Sequence, residues 1–373
     1  MHIIFWQNIP SFHQSATIRA LASMQGCEVT LAFEDDLSQT FRDGGWLVPD
    51  FGNARLLQPK NDDDIRKLIS DSGDGALHIF SGIRFPMVRK AFLMAVRTKA
   101  RIGLIAEAAD WSGVKGFVRL MWYRFEFLRF RSRIDFILAM GELGVRWYSR
   151  CGFPPDKIYP YVYVVEKVTS NEAITPTGDT TRLIYVGQCI KRKGLDVLLS
   201  ALAAHRDLNW HLDILGDGPE RDNLIRLSKE EALADKVSFR GALRNDEARK
   251  MIARSDCLIL PSRWDGWGAV VNESLMQGVP VICSDACGAA DLLGSPERGE
   301  VFKAGSVIAL ESVLERWICK GNKTQESVDR IKAWAKSIEG ETMAGYLLDV
   351  IDAAAGKTDK PKVPWRKEGQ LCA

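Results

Sequence analysis

The sequence predicts an α/β protein built from two doubly wound domains, each with its own parallel sheet. Short apolar runs alternate with helical patterns along the whole chain, which is typical of βαβ units. The 373 residues suffice for two domains of roughly 100–200 residues each. A polar stretch that contains Pro and Gly, at residues 170–181, divides the runs into two series and predicts the interdomain linker.

The order of these runs defines the predicted boundaries. Residues 1–170 form the first domain, with candidate strands at 3–6, 28–33, 76–80, 102–106 and 136–140. Residues 181–328 form the second domain, with candidate strands at 182–186, 210–215, 237–240, 257–260 and 280–284. Residues 329–355 carry a helical pattern and are expected to pack back toward the first domain. Residues 356–373 are rich in Lys and Pro and are expected to form a flexible tail.

The composition excludes several classes of protein. Fifty Lys and Arg residues against 48 Asp and Glu residues leave a formal net charge of +2, which argues against a general nucleic-acid binder. The eight cysteines are scattered without a Cys-x-x-Cys pair, which predicts free thiols in a reducing compartment. The first residues lack the pattern of a signal peptide, and no apolar run is long enough to span a bilayer. The expected location is the cytoplasm, including the inner face of the cell membrane.

Two loops of the second domain are candidates for holding phosphate, because ligands of doubly wound sheets bind beyond the carboxyl ends of the strands. After the first strand comes Gln188 and then a run of three cations that ends at Lys193, which suits a diphosphate. After the second strand comes a tight turn with Gly216 and Gly218, where small residues let the backbone approach a ligand. A solvated basic turn and an ordinary βα turn are the structural alternatives.

The loop after the fourth strand of the second domain is the most specific. It carries Asp265, a glycine-rich turn that ends at Gly268, and a helix whose first N–H groups, including those of Val270 and Val271, favour an anion. Glu273 lies in the first turns of that helix. Carboxylates beside a phosphate site are expected to bind hydroxyl groups, as on a ribose or a sugar. The alternative is that Asp265 caps the helix and Glu273 interacts with its dipole.

Residues 183–293 resemble the nucleotide-sugar-binding domain of the retaining glycosyltransferases of family 4, the glycosyl transferases group 1. The motifs stand in the family's order: Lys193 in the lysine-glycine loop, Gly216 in the G-x-G turn, and Asp265 and Glu273 as the acidic pair separated by seven residues. This family has the GT-B fold, in which two Rossmann-like domains face a central cleft. The resemblance therefore implies that architecture for the whole chain.

The resemblance implies a retaining, metal-independent hexosyltransferase that uses a UDP- or GDP-linked sugar and no further cofactor. By the family pattern, Lys193 binds the donor diphosphate together with N–H groups at the start of the following helix. Glu273 would hold the ribose hydroxyls, and Asp265 the transferred sugar. Asp265 replaces the family's usual Glu, and Gln188 stands where an Arg often follows the first glycine. The implied acceptor is a glycan or a polyprenyl-linked sugar, as in surface polysaccharide or lipopolysaccharide biosynthesis.

Glu107 is the candidate catalytic residue of the first domain, because the strand at 102–106 delivers it to the carboxyl end of the sheet. It would accept the proton of the acceptor hydroxyl or orient a sugar hydroxyl. The loop after the first strand contains His13 and Gln14, whose contact with acceptor or donor stays open. The acidic run at 62–64 is assigned to a helix N-terminus rather than to a metal site.

A basic helical segment follows Glu107. Residues 84–133 contain twelve basic and three acidic side chains. Helical spacing within residues 115–133 separates a mostly charged face from an apolar one: Lys115, Arg119, Trp122, Glu126, Arg129 and Arg133 lie opposite Phe117, Val118, Met121, Phe125 and Leu128. The basic face suits an anionic membrane surface or a lipid-linked diphosphate, and a solvated helix is the alternative. Nucleic acid is not an expected partner.

Two other functions stay open. A nucleotide-sugar epimerase shares the architecture, and it differs in that nucleotide release does not require a second substrate. A non-catalytic membrane-surface binding protein would explain the basic segment, but it would leave Asp265 and Glu273 without a role.

Overall fold

The computed structural model describes residues 1–39, 48–166 and 178–366 and confirms the predicted α/β class with two parallel sheets. The first sheet has seven strands in the order β3-β2-β1-β4-β5-β6-β7, and the second has six in the order β10-β9-β8-β11-β12-β13. The order reverses beside β1 in the first sheet and beside β8 in the second. Ligands of open α/β sheets bind beyond the carboxyl ends of the strands next to such a reversal.

The first domain alternates strands and helices. Its strands are β1 (His2–Gln7), β2 (Glu28–Phe33), β3 (Arg55–Leu57), β4 (Leu77–Ser81), β5 (Arg101–Ala106), β6 (Phe136–Met140) and β7 (Ile158–Tyr161). Its helices are α1 (Ser15–Ser23), α2 (Asp62–Asp71), α3 (Pro86–Ala95), α4 (Gly113–Phe130) and α5 (Gly141–Arg150). The central strands are apolar on both faces because helices cover both sides of the sheet.

The second domain repeats this layout. Its strands are β8 (Thr181–Val186), β9 (Trp210–Leu215), β10 (Val237–Gly241), β11 (Cys257–Leu260), β12 (Val281–Ser284) and β13 (Gly299–Phe302). The helices that follow β8 to β11 are α6 (Leu195–Ala203), α7 (Arg221–Glu230), α8 (Asn245–Arg254) and α9 (Val270–Met276). The chain ends with α10 (Val307–Lys320), α11 (Gln325–Ala335) and α12 (Gly340–Ala354).

All ten predicted strands are present, and three further strands were not predicted from the sequence. The three are β3, β7 and β13, and each lies at an edge of its sheet. Edge strands pair on one side only and need fewer apolar residues, so their sequence signal is weak. β3 is largely exposed, and β7 contains Pro160, which a central strand would not tolerate.

The acidic run at 62–64 begins helix α2, as expected. The side chain of Asn61 accepts hydrogen bonds from the main-chain N–H groups of Asp63 and Asp64. Acidic side chains in a first turn stabilise the positive end of the helix dipole, which accounts for the run. Within the described residues, no group of three or more His, Cys, Asp or Glu side chains is arranged to hold a metal ion.

The last helix joins the two domains. α12 packs on α1 so closely that a Cβ on Gly340 would lie 2.6 Å from the Ala16 carbonyl oxygen. The Tyr346 hydroxyl donates to the Pro160 carbonyl at 3.0 Å, and its ring stacks on Tyr161. One hydrophobic core therefore runs from the first sheet through α12 into the second domain, and a second core lies on the other face of the first sheet.

The segment after α12 is ordered by contacts as far as Arg366, which differs from the flexible tail expected for residues 356–373. Lys360 donates to the Ile158 carbonyl at 2.6 Å. Trp365 is buried, and its indole donates to Asp291. Arg366 pairs with Asp291 of the second domain at 2.8 Å and with Glu142 of the first at 3.3 Å. These contacts hold the segment across both domains, which composition alone did not reveal.

Some predictions fall outside the described residues. They are most of the linker, at 170–177, and the end of the tail, at 367–373. The cysteines within the described ranges are all free thiols. In the same ranges, no helix combines the length and the apolarity that crossing a bilayer requires.

Candidate active site

A tight loop after β8 positions the predicted phosphate-binding lysine. The residues Lys191–Lys193 form one 3-10 turn, and Gly194 ends it in the left-handed region at φ 68°. A Cβ on Gly194 would lie 2.1 Å from the Pro261 carbonyl oxygen, so only glycine fits here. The loop after β8 is thereby packed against the loop after β11.

This packing joins Lys193 to Asp265. The ammonium of Lys193 donates to the Asp265 carboxylate at 2.5 Å, and both side chains are largely buried. Arg192 lies 3.7 Å from the other carboxylate oxygen and donates to the Trp264 carbonyl at 2.7 Å. The main-chain N–H of Asp265 donates to Ala286 at 2.9 Å, which fixes its backbone. The structure thus brings two of the predicted catalytic residues into direct contact.

Glu107 completes this cluster from the first domain. A Cβ on Gly266 would lie 2.1 Å from Oε2 of Glu107, so the Glu107 carboxylate rests against the main chain next to Asp265. The ring of Trp264 meets Trp111 of the first domain edge-on at 5.1 Å. The three predicted catalytic side chains, Glu107, Asp265 and Lys193, therefore face each other across the cleft between the domains.

The confined cleft raises the pKa of Glu107. The residue is exposed toward the cleft, but the walls on either side remove water from its carboxylate, and this is the largest cause of the shift. The nearby charge of Asp265 raises the pKa further. The hydroxyl of Tyr163, which donates to the carboxylate, and the charges of Arg192 and Arg84 lower it. A carboxylate with a raised pKa is a better proton acceptor.

Glu273 lies in the first turn of α9, eight residues after Asp265 in the chain. It is buried at 8% exposure, and burial raises the pKa of its carboxyl. Arg249 of α8, 3.6 Å away, opposes that shift. Burying a carboxylate is unfavourable unless it is paired, so Arg249 helps to keep Glu273 ionised.

Comparison with known proteins was decisive for the second domain. Residues 169–334 match the family model described as Glycosyl transferases group 1. The second domain is a glycosyl transferases group 1 domain. This confirms the family resemblance read from the motifs.

Curated relatives match over part of their length. Residues of this chain are 28% identical over 152 positions to the lipopolysaccharide core biosynthesis glycosyltransferase LpsE of Rhizobium meliloti, covering 41% of this chain and 44% of that protein. A GDP-mannose-dependent phosphatidylinositol monomannoside mannosyltransferase of Mycobacterium tuberculosis H37Rv is 30% identical over 236 residues, 59% of each chain. The match spans less than half of LpsE.

Solved structures match the whole fold at low identity. The lipopolysaccharide outer core galactosyltransferase WaaB aligns over 94% of this chain and 99% of its own, with a TM-score of 0.69 and 17% identity. Anabaena HepE in complex with UDP aligns over 95% and 100%, with a TM-score of 0.70 and 15% identity. These matches confirm the GT-B fold.

Two further residues predicted to bind the nucleotide sugar, Gly216 and Gln188, differ in their environment. A Cβ on Gly216 would lie 1.8 Å from the Gly187 carbonyl oxygen, so this glycine is required for packing two loops. The side chain of Gln188 is exposed, and its main-chain carbonyl accepts a hydrogen bond from the Tyr185 hydroxyl at 2.9 Å.

The start of α9 departs from one expectation. The N–H of Val271, expected to face the donor, donates to the Gly268 carbonyl at 2.9 Å and closes the first turn. Its N–H is therefore already used within the protein. The first N–H groups of a helix have no acceptor within that helix. The N–H groups of Gly268 and Val270, at the start of α9, therefore remain candidates for binding the diphosphate.

The loop after β1 is used for packing. Gln14 is buried and bonded to Gln7 at 2.9 Å and to Ser81 at 3.1 Å. The ring of His13 stacks on Tyr163 with centroids 5.1 Å apart. Burial, and to a lesser extent the charge of Arg249, lower the pKa of His13 to about 4. His13 is therefore neutral at physiological pH and supports the wall that holds Tyr163.

Tyr163 and Arg249 are site residues that sequence reasoning missed. Tyr163 lies just after β7, where the chain leaves the first domain, and Arg249 lies in the middle of an ordinary amphipathic helix. Neither belongs to a motif of the group 1 resemblance. The fold of the first domain brings Tyr163 to Glu107, and only the approach of the two domains brings His13 toward Arg249.

Proposed function

We propose that this protein is a retaining glycosyltransferase that moves a hexosyl group from a nucleoside diphosphate sugar to a glycan or lipid-linked acceptor. The observation that carries the proposal is the cluster of Lys193, Asp265 and Glu107 at the mouth of the group 1 domain. It combines cations for a leaving diphosphate with carboxylates for sugar hydroxyls.

Lys193 and Arg192 would bind the donor diphosphate. In the protein alone, Asp265 accepts the hydrogen bond of Lys193, and two cations face one carboxylate. Two adjacent cations, of which Lys193 is largely buried, favour a diphosphate. The N–H groups at the start of α9 would add uncharged donors. Because charge builds on the leaving diphosphate in the transition state, these groups contribute to rate as well as to affinity.

Glu273 would accept hydrogen bonds from the ribose hydroxyls. Its carboxylate is buried beside Arg249, so a hydroxyl that reaches it bonds to a largely desolvated, ionised acceptor. Such bonds are stronger than neutral ones. Asp265, held by Lys193, would accept from a hydroxyl of the transferred sugar.

The reaction joins the acceptor oxygen to the anomeric carbon as the bond from that carbon to the diphosphate breaks. We assign retention of configuration, with attack from the face that the diphosphate leaves, so no covalent intermediate with the protein is needed. The acceptor proton passes to a departing phosphate oxygen or to Glu107. The raised pKa of Glu107 suits either proton acceptance or orientation of the acceptor hydroxyl.

The relatives indicate the classes of donor and acceptor. HepE was solved with UDP and with UDP-glucose, and the mycobacterial relative is named as GDP-mannose-dependent. We therefore propose a UDP- or GDP-linked hexose. LpsE is named for lipopolysaccharide core biosynthesis and the glycosyltransferase WclY of Escherichia coli for O-antigen biosynthesis, which supports a surface glycan as the product.

A thermal-shift panel of UDP, GDP, ADP and their sugar conjugates tests the donor site. A ligand at 100 times its Kd should add about 2.7 kcal/mol to the free energy of unfolding. We expect one nucleotide family to stabilise the protein, and Lys193→Ala and Glu273→Gln to abolish the shift. Lys191→Ala is the matched control, because Lys191 is an exposed cation of the same turn. If no nucleotide stabilises the wild type, the proposal is wrong.

Turnover distinguishes transfer from epimerisation. A transferase releases the nucleoside diphosphate at a rate that rises when an acceptor is added. An epimerase converts the nucleotide sugar into its epimer without a second substrate, and formation of that epimer in the absence of an acceptor would replace the proposal.

A further inference from the structure

Helix α4 turns a continuous apolar stripe toward solvent. Its members, each between 47% and 81% exposed, are Val114, Phe117, Val118, Met121, Phe125 and Leu128. They recur at three- and four-residue steps, so they share one face of the helix. The opposite face packs on the domain through Tyr123, Phe127 and Phe130. The helix is thus apolar on two sides, of which the domain covers only one.

The structure corrects the orientation expected for this helix. The charged face was expected to meet the membrane, but several of its members bond within the domain. Glu126 is buried and pairs with Arg89 at 3.1 Å. Arg119 donates to the Asp110 carbonyl, and Arg133 donates to the Val96 carbonyl at 3.0 Å. The face left for an outside partner is the apolar one.

Exposed cations flank the stripe on both sides. At 100° per residue, Lys115 and Arg129 lie along one side of the stripe, and Arg124 and Arg131 along the other. The only acidic residue of α4 is Glu126, on the buried side. The surface is therefore an apolar centre between two rows of positive charge. A partner that fits it is apolar inside and negatively charged along its borders.

We propose that α4 docks on the surface of an anionic lipid bilayer, with the stripe inserted at the level of the headgroups. The apolar side chains would enter the boundary of the acyl chains while the cations contact lipid phosphates, and both contributions favour binding. Charge decides against a second copy of this chain, because pairing two stripes would bring the cationic rows of both copies together.

Docking through α4 deepens the proposed function and, in this part, rests on it. Glu107 directly follows β5 and lies six residues before α4 begins, and Trp111 between them contacts Trp264 of the group 1 domain. The helix on the bilayer is therefore the next element after the acceptor side of the cleft. An acceptor carried on a membrane lipid would reach Glu107 from that side.

Vesicle co-flotation of the full chain tests the docking surface. We expect binding to vesicles of equal phosphatidylcholine and phosphatidylglycerol at 0.1 M NaCl, and weaker binding to phosphatidylcholine alone. Phe117→Gln with Phe125→Gln should lower the partition coefficient about 100-fold, since burying each ring contributes about tenfold. Gln is a good helix former, so α4 should persist. Ile308→Gln is the matched control, because Ile308 is 77% exposed on α10.

Three outcomes would overturn the proposal. The first is no binding to the anionic vesicles, and the second is binding that the double variant retains. The third is a dimer, seen by light scattering, that the double variant abolishes while vesicles bind neither protein, since that would assign the face to a second copy. Nucleotide-induced thermal shifts, measured on the same variants, report on the donor site separately.

Discussion

Replacing Gly266 by alanine tests whether the position of the Glu107 carboxylate, and not merely its presence, determines activity. The added Cβ would lie 2.1 Å from Oε2 of Glu107, whereas ordinary contact begins at 3.4 Å. The Glu107 side chain must therefore move by at least about 1 Å. It can do so at little cost in stability, because the clashing atom is the far end of a flexible side chain.

The expected result is a loss of turnover without a loss of donor affinity. Misplacing a catalytic group by about 1 Å can slow a reaction by about 100-fold. The assay is the initial rate of nucleoside diphosphate release with acceptor present, beside the thermal shift produced by the nucleotide. Gly75→Ala is the control, because a Cβ on the exposed Gly75 meets nothing within 4 Å.

A double-mutant comparison makes this test specific. In a Glu107→Ala background, Gly266→Ala should add no further loss, because the group that it displaces is absent. If Gly266→Ala leaves turnover unchanged in the wild type, or lowers it equally in both backgrounds, the position of Glu107 is not what limits the reaction. The reasoning from the cleft geometry would then be refuted.

Three further measurements test the surroundings of the site. Tyr163→Phe removes a hydrogen bond that lowers the pKa of Glu107, so the acid limb of the pH–rate profile should move to higher pH; a move to lower pH, or none, would contradict the assignment. Arg366→Ala should lower the free energy of unfolding by about 2–4 kcal/mol, because it removes the cation bonded to the largely buried carboxylate of Asp291. Lys357→Ala, which removes an exposed ion pair with Asp352, should lower the free energy of unfolding by less than about 1 kcal/mol. Urea titration measures both changes. His13 has a pKa of about 4 in the folded protein, below its usual value, so the unfolded chain binds more protons between about pH 4 and 6.5. Stability should therefore rise with pH across that range by about 1 kcal/mol per unit and be lost as the pH is lowered, and His13→Gln should flatten this slope.

The motifs of the second domain were readable because they are local. Lys193, Asp265 and Glu273 each follow a buried strand within a few residues, and a strand end in a parallel sheet has a predictable position. The family match confirms the motif reading, and the six-stranded sheet confirms the strand series. The missed strands are short edge strands, whose partial pairing leaves little apolar signal.

The sequence by itself determined the α/β class, the two sheets, the family of the second domain and the strand ends where the candidate residues lie, because these follow from hydrophobic periodicity and short motifs. Only the tertiary structure decided which residues meet across the cleft. Three such contacts join residues far apart in the chain: Glu107 lies against Gly266, Tyr163 donates a hydrogen bond to Glu107, and Arg366 pairs with Glu142. It also decided which face of α4 meets solvent. Periodicity shows that side chains share a face, but what covers that face depends on packing between elements that no local pattern encodes.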